Sequence, residues 1–264
     1  MRLKITHRTE YSYVAPLGYA LQRLRLTPYS GGAQTVRSWS LAIEGAREEV
    51  RFVDQFGNET ILISAEGGPH AIVVEVRGEV DVQDTTGVTG LHRGFAPLWL
   101  FTAATPLTMP GEGIAALAAS IGEGSELERL HGLMAAVAKE VAYVKGTTDA
   151  ATAAEDALLR KSGVCQDHAH VFISAARALG FPARYISGYL YSGDAPQQAA
   201  SHAWAEAHVS QLGWVGFDPS NDMCPDDRYV RLATGRDYRD AVPVSGIRHG
   251  SGEELLAVSV TVEQ

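Results

Sequence analysis

Cysteine is scarce in this chain: Cys165 and Cys224 are the only two among 264 residues. A disulfide scaffold would use more, so the composition points to a reducing compartment. Positive charge is in the minority, with 22 Lys and Arg against 31 Asp and Glu and a formal net charge of −9. That balance favours solubility and argues against nonspecific binding to nucleic acid or an anionic membrane. No apolar run approaches the roughly 18 residues of a membrane-spanning helix. The opening MRLKITHRTEYSYV alternates polar and apolar residues and lacks the apolar core of a signal peptide. A soluble, cytoplasmic protein is expected. Neither HExxH, paired CxxC nor an EF-hand loop is present, and no metal or other cofactor is expected. What the chain does have is an ordinary globular complement, 45% hydrophobic and 20% charged, enough for one large domain or two smaller ones.

Residues 1–85 read as strands. Leu3 and Ile5 alternate with polar neighbours, and EEVRFVDQFGNETILIS carries a turn signal at Gly57 and Asn58 between two β-rich stretches, which predicts a hairpin. HAIVVEVRGEVDV adds a long strand. Period-two alternation of this kind suits a small β-sandwich. His7 and His70 are isolated and read as surface or turn histidines. Residues 86–112, rich in Thr, Gly and Pro, read as a connector. A core is expected over 113–250. Ser125 and Glu128 form a capping box, ahead of Leu127, Leu130, Met134, Val137 and Val141 on one helical face. A second short helix is expected from Ala151 to Lys161, ended by Gly163. GRDYRDAVPVSG reads as irregular, and residues 251–264 supply a final strand that joins a sheet.

The segment GVCQDHAHVFISAARALGFPARYISGYLY is the most informative. Ala169, Phe172, Ile173, Ala176 and Leu179 keep the spacing of a buried helical face, and Gly180 followed by Pro182 marks its end. Counted back, the helix starts near Cys165. A thiol in the first turn faces unpaired N–H groups and the positive end of the helix dipole, both of which favour the nucleophilic thiolate. On spacing alone, a buried inert cysteine fits equally well. A base is available in SHAWAEAHVSQLGWVGFDPS, where His202, Trp204, Glu206 and His208 share one face of a strand. An antiparallel hairpin centred on Ser210 places His202 directly opposite Asp218. A register shift of two keeps the pair on one face as diagonal neighbours, whereas a shift of one separates them.

Together GVCQDHAH, SHAW and GFDPSND resemble, in order and separation, the bacterial transglutaminase-like family, and the strands of residues 1–84 resemble the β-rich region that precedes its core. The resemblance implies an α+β protein with a papain-related core, helices packed on an antiparallel sheet, after a β-sandwich-like domain. It implies Cys165 as nucleophile, His202 as general acid/base and Asp218 as the orienting carboxylate. The expected activity is hydrolysis of peptide or other amide bonds in a peptide or protein substrate, through a thioester. Transfer of the acyl group to an amine and a non-catalytic peptide-binding module are the alternatives. The oxyanion would take one donor from the Cys165 N–H, with Gln166, Tyr143 and Trp204 as candidates for the second.

Other residues have plainer readings. His168 and His170, two apart on a helix, point about 200° apart and make poor partners for one metal. His170 reads as a core histidine, and Asp167 as a residue that stabilises the helix dipole. Trp204 either fills core or shields the imidazole, and Trp214 packs. Glu206 and His208 line the cleft or reach solvent. Cys224 is a bystander unless it pairs with Cys165.

Overall fold

The computed structural model describes residues 1–92, 94–193, 197–198, 201–250 and 253–264. Strands β1 (Arg2–Tyr13), β2 (Tyr19–Thr27), β3 (Gln34–Glu44), β4 (Arg47–Val53), β5 (Glu59–Glu66) and β6 (Ala71–Val82) occupy the first third of the chain. In β1 the odd-numbered Leu3, Ile5, His7 and Thr9 are buried and their neighbours are not, as a strand with one inward face requires. The expected hairpin forms between β4 and β5. Its turn is held by Asp54, which accepts from the N–H groups of Phe56 and Asn58, and Gly57 adopts the left-handed φ of 86° that the turn needs.

The remainder runs β7 (Val88–Gly90), α1 (Glu112–Ala119), α2 (Glu126–Glu140), β8 (Ala142–Tyr143), α3 (Ala154–Arg160), β9 (Ser162–Gly163), α4 (Cys165–Ala178), β10 (Ala183–Leu190), β11 (Gln197–Gln198), β12 (His202–Val209), β13 (Gly213–Phe217), β14 (Tyr229–Gly235), α5 (Tyr238–Ala241), β15 (Val244–His249) and β16 (Glu254–Glu263). Two sheets form a sandwich, one in the order β11-β16-β1-β6-β3 and the other β15-β2-β5-β4. Both are completed by strands from the end of the chain: β16 pairs along β1, and β15 along β2. The segment GRDYRDAVPVSG is therefore not irregular. It contains α5, capped by the Asp237 side chain accepting from Arg239 N–H, and the start of β15. One helical turn is too short to leave a periodic signature.

A third sheet, β14-β10-β12-β13-β7, carries α4 on one face. Buried on nearly every side, α4 is the axis of the core, with α1, α2 and α3 around it. The Ser125–Glu128 capping box starts α2, whose buried face includes Leu133 beside Leu130, Met134 and Val137. Helix α3 begins at Ala154 and is ended by Lys161 in the left-handed region, with φ 55°. Gly163 instead makes room for a neighbouring side chain, since a Cβ there would come within 2.6 Å of Asp167.

The β12–β13 hairpin turns on Gln211, not Ser210. Ala207 faces Val215 and Ala205 faces Phe217, a register two residues away from the expected one. A three-residue loop explains the shift, with Gln211 at φ 68° and Gly213 at φ 81°. Carried one step further, this register sets Trp204 across from Asp218 and makes His202 its diagonal neighbour on the same face.

Candidate active site

Cys165 is the first residue of α4 and half-buried. The turn before it is fixed by Asp167, whose Oδ2 accepts from Val164 N–H at 2.7 Å and from the Thr148 hydroxyl at 2.6 Å. Asp167 is thus buried and bonded, not merely placed near the dipole. The parallel pairing of β8 with β9 sets Tyr143 opposite Gly163, two residues before Cys165.

His202, at the start of β12, hydrogen-bonds Asp218 Oδ2 through Nε2 at 2.7 Å, and the Cys165 side chain lies near enough to favour its protonated form. Its side chain is 11% exposed. Burial alone lowers the affinity of the ring for a proton. The hydrogen bond to Asp218, together with Asp218 and Cys165 as nearby anionic groups, outweighs that cost, and the imidazole pKa is pushed up to about 10. Asp218 is fully buried, which by itself raises its pKa; the bond and charge of His202 and the bonds from Ser220 and Asn221 hold it down to about 2. Its Oδ1 accepts from the N–H of Ser220 at 3.0 Å and the Ser220 hydroxyl at 2.6 Å. Its Oδ2 accepts from Asn221 Nδ2 at 2.7 Å and the Tyr229 hydroxyl at 2.9 Å. The structure therefore brings Cys165, His202 and Asp218 together and adds three residues, Ser220, Asn221 and Tyr229, that sequence reasoning missed.

Trp204 is buried behind the imidazole, its ring roughly parallel to that of His202 with centroids 6.3 Å apart. Tyr143 is half exposed; burial and the nearby charges of Cys165 and Asp218 raise its pKa. Gln166 turns aside, its amide nitrogen 3.5 Å from the Asp149 carbonyl. Glu206 neither lines the cleft nor reaches solvent: it is fully buried between Arg184, at 2.6 Å, and Arg231, at 2.6 Å. His208 lies edge-on to Trp214. His170 is a core residue whose Nε2 accepts from Tyr238 N–H, and burial and Arg177 lower its pKa to about 3. Both nitrogens of His168 face backbone carbonyls, those of Val164 and Val141. Cys165 and Cys224 are both free, and burial pushes the Cys224 thiol up to about 11. His7 is not on the surface; it is buried in β1 against the Tyr189 hydroxyl. His70 is exposed at a bend. Among the described residues no helix is long and apolar enough to cross a membrane.

A cysteine at the N-terminus of a central helix, facing a histidine and an acid from an antiparallel sheet, is the architecture of the papain-related α+β class. Residues 115–219 match the model of the transglutaminase-like superfamily, and residues 3–81 that of the bacterial transglutaminase-like N-terminal region; the chain belongs to this superfamily. An uncharacterised protein of Mycobacterium leprae is 29% identical over 283 residues, covering 99% of this chain and 98% of that protein. One of Mycobacterium tuberculosis is 30% identical over 291 residues, covering 99% and 92%. A protein-glutamine gamma-glutamyltransferase of Pseudomonas aeruginosa is 29% identical over 100 residues, 34% of this chain and 15% of that one. In fold, the chain is similar to a crystal structure from Cytophaga hutchinsonii, of a protein provisionally named a cysteine protease, with TM-score 0.79, 22% identity and coverage of 100% and 91%.

Proposed function

We propose that the chain is a cysteine-dependent hydrolase of peptide or other amide bonds, with Cys165, His202 and Asp218 as its catalytic triad. The observation that carries this reading is His202 held by Asp218 at 2.7 Å, with the Cys165 side chain near it at the start of α4. The thiolate of Cys165 attacks the carbonyl carbon. The new C–S bond pushes charge onto oxygen, where the Cys165 N–H donates to it. Tyr143, half exposed and beside the thiol, is the proposed second donor, since Gln166 turns aside and Trp204 is buried. The His202 imidazolium gives its proton to the leaving amine as the C–N bond breaks. Neutral His202 then takes a proton from water, which attacks the thioester; the C–S bond breaks and the thiolate returns.

Incubation with a library of peptides and carboxamides should leave an acyl adduct on Cys165 detectable by mass spectrometry. Cys165→Ala should abolish both adduct and turnover with the fold intact; turnover retained by that variant would end the proposal. The second reading is acyl transfer to an amine, favoured by the partial similarity to the Pseudomonas glutamyltransferase. A labelled primary amine separates the two, because incorporation means transfer and cleavage alone means hydrolysis.

A further inference from the structure

His168 follows Cys165 by three residues in α4 and is 2% exposed. Each of its ring nitrogens meets a backbone carbonyl. Nδ1 lies 2.9 Å from the Val164 oxygen, and Nε2 lies 2.8 Å from the Val141 oxygen. A carbonyl oxygen accepts and cannot donate. Neutral imidazole carries one N–H and one bare lone pair, so either neutral tautomer presses a lone pair against an oxygen. In a buried place that repulsion is poorly screened. The imidazolium has a proton for each carbonyl, and both bonds are then charge-assisted.

The surroundings suit a cation. Val141 is the C-cap of the 15-residue helix α2, whose last carbonyls carry the negative end of its dipole. The Tyr143 ring lies 6.1 Å from the imidazole, centroid to centroid, and is tilted by 32°. An aromatic face at about that distance attracts positive charge. Asp167, next in the chain, is 1% exposed. Its Oδ2 accepts from two neutral donors, and its Oδ1 has no hydrogen-bond partner among the described residues. A buried carboxylate of this kind calls for a positive charge beside it. Burial and the positive end of the α4 dipole oppose the charge on His168; the two carbonyls, the aromatic face and the carboxylate sustain it.

We propose that His168 is a buried imidazolium and a positioning residue for the reaction proposed above. Its role, though not its charge, rests on that reading. Residues three apart on a helix have Cβ atoms roughly 5–6 Å apart, so the cation stands one turn from the Cys165 sulfur and favours the thiolate. The bond to Val141 fixes the chain two residues before Tyr143, and the bond to Val164 fixes the residue before Cys165. One side chain thereby holds together the two proposed oxyanion donors, the Cys165 N–H and the Tyr143 hydroxyl.

The test uses the full chain labelled with nitrogen-15. The His168 ring is assigned among the nine histidines by its through-space contact with the Tyr143 ring. At pH 7 both of its nitrogens should carry a proton; one protonated and one bare nitrogen would overturn the proposal. That spectrum decides the charge whether or not any variant folds. His168→Gln keeps a hydrogen-bond donor at the site and removes the charge. Alkylation by iodoacetamide, followed at Cys165 by peptide mass spectrometry, should then have its acidic limb moved up by about one pH unit, a tenfold loss of rate on that limb. A limb that stays in place in His168→Gln, with the fold intact by circular dichroism, would overturn the positioning role. Neither measurement needs turnover, so a chain that cleaves no amide would end the proposed activity and leave the charge of His168 standing.

Discussion

Asp218 accepts five hydrogen bonds while fully buried, and this crowding decides what the imidazole can do. A carboxylate so held stays ionised across the working pH range and keeps His202 charged. The raised pKa of His202 means the imidazolium persists through neutrality and is lost only as pH climbs toward about 10. Asp218→Asn removes the charge that sustains it. Turnover should then fall by roughly two orders of magnitude or more, and the alkaline limb of its pH profile should move down toward the ordinary histidine value. An unmoved limb would show that Asp218 does not set the protonation of His202. Tyr229→Phe deletes one donor of five, and a loss of about tenfold in turnover is expected, with stability in urea unfolding lowered by about 1–3 kcal/mol for the lost bond to a buried carboxylate. Of the missed donors, Ser220 and Asn221 left a local signal in GFDPSND that could have found them, since Ser and Asn just after an Asp are positioned to bond its side chain. Tyr229 left none: it arrives from β14, and no local spacing announces a partner eleven residues away across a loop.

The elements show the same division between local and distant causes. Helix α4, its start at Cys165 and the α2 cap were readable because apolar spacing, capping residues and a terminal glycine are all short-range signals. The β12–β13 register was not, because it depends on how Gln211 and Gly213 shape the turn and on Gly213 leaving room for the Gly90 carbonyl, which a Cβ would meet at 2.2 Å. The face of each side chain survived the two-residue shift, and so did the His202–Asp218 contact. The burial of Glu206 was also hidden, since Arg184 and Arg231 come from two other strands, β10 and β14. At the N-terminus of α4, Asp167 ties the turn that presents Cys165 to the loop carrying Thr148. Asp167→Ala should destabilise the protein by about 1–3 kcal/mol in urea unfolding, the cost of leaving a buried N–H without its acceptor. Turnover should fall further than that stability loss explains, because the proposed nucleophile, Cys165, moves with the turn; full activity in the folded variant would contradict this.

Across the whole molecule, the N-terminal sandwich completes the core as well as preceding it. Strand β14 is an edge of the core sheet, and side-chain amides cover its free backbone groups. Gln34 donates to the Arg231 carbonyl and accepts from its N–H, and Asn58 does the same for Thr234. A third tie is His7 of β1, whose Nδ1 lies 2.8 Å from the Tyr189 hydroxyl of β10 and whose Nε2 lies 3.0 Å from the Thr9 hydroxyl. Burial lowers the His7 pKa to about 4, so this tie works with a neutral ring. The unfolded chain binds the proton near the ordinary histidine value of about 6.5. The contribution of His7 is therefore whole above that value and is lost as pH falls through about 4, a difference on the order of 3 kcal/mol. His170, with its pKa lowered to about 3, adds acid sensitivity of the same sign. Replacing His7 by Gln keeps a polar side chain but removes the titration. In urea unfolding between pH 7 and pH 4, the parent should lose stability more steeply than His7→Gln, by up to one proton per molecule. Parallel slopes would mean that the join between sandwich and core does not depend on a neutral His7.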